Sequence, residues 1–214
     1  MVTINGGNIH IVSSDDGLNG AGGVDRSGID TRPGQGGFTP PTGGTCHLYI
    51  NGGYIAVNAA GDGIDVNGSI DMTGGTVIVH GPTDQDNSAV DYDGTFEITG
   101  GLLVAAGSAG MAQAPGFTST KNSLLLTFNT TRPASSLVRV QSVSGEGIVT
   151  FAPFKAYQSL AFSSPDLITN STYSVYSGGS FGGASTDGLY GEGTYTPGTL
   201  YRSFTVTGVV TNLR

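Results

Sequence analysis

The chain has one cysteine, Cys46, in 214 residues, which excludes an intrachain disulfide framework and clustered-thiolate zinc sites. Positive charge is also scarce. Eight Lys plus Arg face 16 Asp plus Glu, the formal net charge is −8, and no Lys or Arg occurs between Pro33 and Thr120. Such a surface is a poor partner for nucleic acid, because phosphate neutralisation needs clustered cations. An acidic polymer would need an intermediary cation. No run approaches the ~20 apolar residues of a bilayer-spanning helix. The opening residues lack the basic and apolar segments of a secretory leader, so the chain reads as a mature or truncated segment that opens inside a repeat. No long segment carries a 3.6-residue period, and an α fold is excluded.

What is abundant is glycine, 37 residues, with Val, Ile, Thr, Tyr and Phe filling short runs between Gly, Asn, Asp, Ser and Pro. This is an all-β pattern. One phrase occurs four times: Ile4-Asn5-Gly6-Gly7, Ile50-Asn51-Gly52-Gly53, Met72-Thr73-Gly74-Gly75 and Ile98-Thr99-Gly100-Gly101. An apolar run follows each, namely Ile9-His10-Ile11, Ile55-Ala56-Val57, Val77-Ile78-Val79 and Leu102-Leu103-Val104. The first glycines are spaced by 46, 22 and 26 residues, a solenoid period with insertions. Two or three short strands per unit, separated by Gly and Asn turns, predict a parallel β-helix with rungs about 4.8 Å apart. Regular coils are expected over residues 1–112, with a Gly/Pro-rich excursion over about 21–47 and a smaller insertion from His80 to Asn87. Residues 113–214 read as irregular later coils or a β-rich cap of the same domain. Strands are expected there near 123–128, 137–143, 148–151, 157–162, 173–176 and 200–210.

Placing the copies in register aligns Asp16 with Asp62, ten residues after the first glycine of each pair. It also aligns Asn19, Asp65 and Asp91 in one column that Ala112 ends, with Asp93 two residues beyond Asp91. Two readings fit. As Asp-Gly and Asn-Gly turns, these side chains hydrogen-bond their own backbone and are solvated. As a stacked column without Lys or Arg nearby, the carboxylates call for a bound cation. All-oxygen donors in irregular loops favour Ca²⁺, with Asp16, Asp62, Asp65, Asp91 and Asp93 as the ligand set. Tyr49, Tyr54, Tyr92 and Phe96 are candidate platforms for a sugar ring, the three tyrosines above all and Tyr92 first, because it lies between Asp91 and Asp93. For each, packing in the core or ladder is the competing reading.

Uronate β-elimination would need a basic residue beside the metal, and the regular coils offer no Lys or Arg. His10 and His80 lie four and six residues after the first glycine of their pairs, so they do not stack, and both read as surface residues. The chain is therefore not expected to be a lyase.

The phrase Ile50-Asn51-Gly52-Gly53 through Gly61-Asp62-Gly63-Ile64-Asp65-Val66-Asn67-Gly68 resembles the coil phrase of a known family, as do Ala89-Val90-Asp91-Tyr92-Asp93-Gly94, Gly107 to Pro115 with its Met-Ala-Gln-Ala-Pro, and Lys155-Ala156-Tyr157-Gln158-Ser159. Together they are similar to the clostridial cell-surface carbohydrate-binding domain family, whose fold is like that of the polysaccharide lyases. The resemblance implies a right-handed parallel β-helix, bound calcium, and an extracellular or bacterial cell-surface location. It also implies binding of cellulose and acidic plant polysaccharide without established lyase activity. Further coils and a signal peptide upstream, which that family carries, are absent from this sequence. The alternative expectation is structural: open solenoid ends stacking head to tail would make the chain a subunit of an extracellular filament.

Overall fold

The computed structural model describes residues 1–20 and 46–214. Three short strands recur per turn of the chain. The first turn holds β1 (Val2–Ile4), β2 (Asn8–Ser13) and β3 (Leu18–Gly20), and the second β4 (Cys46–Ile50), β5 (Tyr54–Ala59) and β6 (Ile64–Val66). The third holds β7 (Gly68–Met72), β8 (Thr76–His80) and β9 (Val90–Tyr92), and the fourth β10 (Phe96–Ile98) and β11 (Leu102–Gly107). Each strand pairs in parallel with its counterpart one turn away, giving sheets β1-β4-β7-β10 and β3-β6-β9 and a third that begins β2-β5-β8-β11. The fold is all-β, and its stacked parallel sheets are consistent with a right-handed β-helix. Cys46 and His47, expected in the excursion, are the first residues of β4; the rest of that excursion, residues 21–45, lies outside the described residues.

The register follows the glycine pairs. Ile4, Ile50, Met72 and Ile98 stack, as do Leu48, Ile70 and Phe96 one alternation earlier. These side chains point inward and build the coil core. Phe96, a candidate platform from its sequence position, is fully buried there. Each turn reverses at the second glycine of its pair. Gly53, Gly75 and Gly101 have φ of 95°, 87° and 88°, the left-handed region that a Cβ disfavours.

Beyond the fourth turn the pairing changes sense. The remaining strands are β12 (Ser123–Arg132), β13 (Val138–Ser142), β14 (Gly147–Phe151), β15 (Tyr157–Ser163), β16 (Thr172–Gly182), β17 (Ser185–Thr186), β18 (Leu189–Tyr190), β19 (Thr194–Thr205) and β20 (Val210–Leu213). Of the two readings of this region, the β-rich cap is the one found. β15 pairs antiparallel with both β11 and β12 and so ends the parallel ladder. Six strands form an antiparallel sheet, β17-β18-β14-β13-β16-β19. The run expected as one strand over 200–210 is split between the end of β19 and the start of β20. Residues 116–121 close the edge of β10, with Gly116 N–H donating to Phe96 O at 2.7 Å and Thr120 N–H to Ile98 O at 3.1 Å.

The cap also covers one flank. Val77, Val79, Leu103 and Ala105 face the coil core, while Ile78, Val104 and Ala106 face a second core shared with the antiparallel sheet. Burial on both faces explains why Val77-Ile78-Val79 and Leu102-Leu103-Val104 are continuously apolar. Ile9-His10-Ile11 alternates because its outer side is solvated. His80 was expected at the surface, yet it is 1% exposed. It stacks on Phe154 at 4.0 Å, and its Nδ1 accepts the Phe154 N–H at 3.0 Å. Burial holds this imidazole neutral, lowering its pKa to about 4.

Candidate functional site

The aligned carboxylates do stack. Asn19 pairs with Asp65 and Asp65 with Asp91 across β3, β6 and β9. One position set earlier, Asp16 Oδ1 accepts the Asp62 N–H at 2.8 Å, and Asp62 Oδ1 accepts the Ser88 N–H at 2.5 Å. Asp16 and Asp62 thus each bond the backbone of the next rung. Asn19 Nδ2 donates to the other oxygen of Asp16 at 2.8 Å. At the far end of the column the Gln113 side chain reaches Asp91, its Nε2 donating to Oδ1 at 2.8 Å. Asp62 and Asp65 are buried, Asp91 is half-buried and Asp93 is exposed in the bend after β9.

Crowding shows in the acidities. Burial, followed by the charges of Asp91, Asp16 and Asp15, raises the Asp62 carboxyl to about 6, against the opposing Ser88 N–H. Burial and then the Asp93 charge raise Asp91. Among the described residues, no three His, Cys, Asp or Glu side chains converge to hold a metal ion. A cation at this column would therefore take most of its donors from outside the protein's carboxylates.

The three tyrosines occupy different settings. Tyr92 packs against the coil core, edge-on to Phe96 at 5.9 Å, and its hydroxyl donates to Ala114 O at 2.7 Å. Tyr54 is tied to the cap: its hydroxyl donates to Asp187 Oδ2 at 3.0 Å, and Asp187 Oδ1 lies 3.5 Å from His10 Nδ1. Neither tyrosine has a free hydroxyl.

Tyr49 stands on the outward side of the sheet β1-β4-β7-β10. Strand alternation places Thr3, Tyr49, Asp71 and Glu97 in one row and His47, Ser69 and Thr95 in the next. The rings of His47 and Tyr49 stack at 4.1 Å and 1°. His47 Nε2 is 2.5 Å from Asp71 Oδ2, and both of those side chains are 32% exposed. At the adjoining turn, Asn51 Nδ2 donates to Asn5 Oδ1 at 2.8 Å and Thr73 Oγ1 to Asn51 Oδ1 at 3.0 Å. His47 escaped the sequence reading because it was assigned to the excursion, although a His-x-Tyr pair on one strand face is visible in retrospect.

The outward side of this sheet thus carries a stacked ring pair beside carboxylate, hydroxyl and amide side chains at rung spacing. In comparison with known proteins, residues 43–192 match the family of carbohydrate-binding domain-containing proteins. The chain belongs to that family. No curated protein and no solved structure matches it significantly.

Proposed function

We propose that the chain is a non-catalytic, extracellular polysaccharide-binding module that engages an extended polymer along the outward face of β1-β4-β7-β10. The observation that carries this reading is the His47–Tyr49 ring stack beside Asp71. One sugar ring packs against the half-buried aromatic pair, and the rows of Ser69, Thr95, Glu97 and Thr3 offer hydrogen bonds to neighbouring units. Cellulose and acidic plant polysaccharide are the candidate polymers. Calcium contributes in the acidic case, at the Asp91 and Asp93 pair, where the carboxylate of the polymer supplies further donors. Co-sedimentation tests both parts. Retention on cellulose is expected to be the same with and without EGTA, while retention on a polygalacturonate gel falls at least threefold in EGTA. No retention on either polymer would overturn the binding reading; equal retention on polygalacturonate would remove calcium from it.

A second reading, assembly into a filament, draws on one observation. Among the described residues β1, β2 and β3 pair on one side only, with Ile4, Ile9, Ile11 and Leu18 partly exposed beside them. Particle length that grows with concentration, seen by electron microscopy, would favour it.

A further inference from the structure

The antiparallel cap carries a cleft that neither the coil face nor the carboxylate column involves. Its centre is Arg139, on the side of β13 away from the core, in register with Thr150 on one neighbour and Tyr176 on the other. The guanidinium is covered but not deep. Arg139 is 9% exposed, and its group lies against bare backbone at Gly147, where a Cβ would come within 2.6 Å of both terminal nitrogens. The distal part of the β16–β19 hairpin completes the enclosure, with the guanidinium carbon 4.8 Å from the Tyr195 ring centre and 5.9 Å from that of Phe181. Phe181 in turn packs on Tyr190 at 5.1 Å. The resulting open cleft, about 360 Å³, is lined by Arg139, Phe181, Tyr190 and Glu192 among others. That volume falls within the ~300–1,000 Å³ usual for small-ligand sites.

The cation has hydrogen bonds but no counter-ion. Nε donates to Gln141 Oε1 at 2.9 Å, Nη1 to Thr150 Oγ1 at 2.7 Å and Nη2 to Gly145 O at 3.3 Å. Three of five N–H groups are thereby used. An N–H on each terminal nitrogen thus remains for a carboxylate. Among the described residues no carboxylate pairs with Arg139; the ion pairs found are His10–Asp187 and His47–Asp71. Glu192 on the rim is solvent-exposed, so its repulsion of an anion is screened.

We propose that this cleft is a second carbohydrate subsite, selective for a carboxylate-bearing sugar. The Arg139 fork takes the carboxylate, and Phe181 and Tyr190 pack on the apolar face of the ring. The inference rests on the polysaccharide-binding reading above but uses a separate surface and needs no metal. Calorimetric titration in EGTA with tetragalacturonate, its methyl ester and cellotetraose separates the two. The wild-type protein is expected to bind the acid at least tenfold more tightly than the ester. Arg139→Gln, which removes both the charge and the fork, abolishes that difference and leaves cellotetraose binding unchanged. Tyr190→Ala weakens the acid and the ester alike, and reports on the cleft independently should the Arg139 variant not fold. Equal affinity for acid and ester overturns the cleft proposal while the coil-face reading stands on cellotetraose binding. If none of the three ligands binds, both readings fall.

Discussion

Gly75→Ala is expected to destabilise the solenoid by about 2–5 kcal/mol, combining the cost of left-handed backbone with overpacking. Gly75 has φ of 87°, and an added Cβ would sit 2.8 Å from Gly53 O and 2.9 Å from Gly52 C. Both atoms are backbone of the preceding rung and cannot step aside. Gly75 O also accepts the Leu102 N–H of the next rung at 2.9 Å, so displacement propagates both ways. At 2–4 °C per kcal/mol for a chain of this size, the thermal midpoint should fall by roughly 10 °C. Gly7 supplies the internal comparison. Its φ is 101°, yet nothing lies within 4 Å of the position a Cβ would take. Gly7→Ala should therefore cost only the conformational part, about 1–2 kcal/mol. Equal costs at the two positions would mean that rung-to-rung contact is not what demands glycine.

Asp62→Asn should work in the opposite direction and stabilise the protein above neutral pH. The folded-state carboxyl is raised to about 6 from 3.8. The folded protein thus holds a proton that the unfolded chain releases, and the resulting stability is present at low pH and lost as pH rises through 6. The full difference corresponds to about 3 kcal/mol. Weakening of the Ser88 N–H bond offsets part of it, leaving about 2 kcal/mol in favour of the variant at pH 8, or roughly 4–8 °C. At pH 4 the gain should vanish. His80 tilts the wild-type curve the other way: its folded pKa of about 4 makes stability rise with pH from about 4 to its ordinary value of 6.5. Comparing the two proteins at each pH cancels that contribution. Melting curves in EGTA check the prediction, and a destabilised variant at pH 8 would contradict it.

Much of this geometry is written in the spacing of the repeat. Asp65 lies under Asp91 because the segments from the glycine pair to the acidic turn have equal length, once the insertion after His80 is set aside. The same counting fails at the fourth turn. No strand follows Gly107 until Ser123, so offset no longer measures position there, and the side chain that bonds Asp91 is that of Gln113. Sequence order puts Tyr92 between two carboxylates but does not report that its ring meets Phe96 edge-on at 5.9 Å. His80 and Tyr54 are governed by cap segments 74 and 133 residues away in sequence, distances at which no local pattern reports. The Arg139 cleft needs an antiparallel register and a back-folded hairpin, neither of which has a period to read.

The most direct test of the binding face is a calorimetric titration of wild-type and Tyr49→Ala protein with a soluble cello-oligosaccharide. Loss of a central aromatic contact should weaken binding at least tenfold, about 1.4 kcal/mol, with the melting temperature unchanged because Tyr49 points away from the core. Identical affinities for the two proteins would contradict the account.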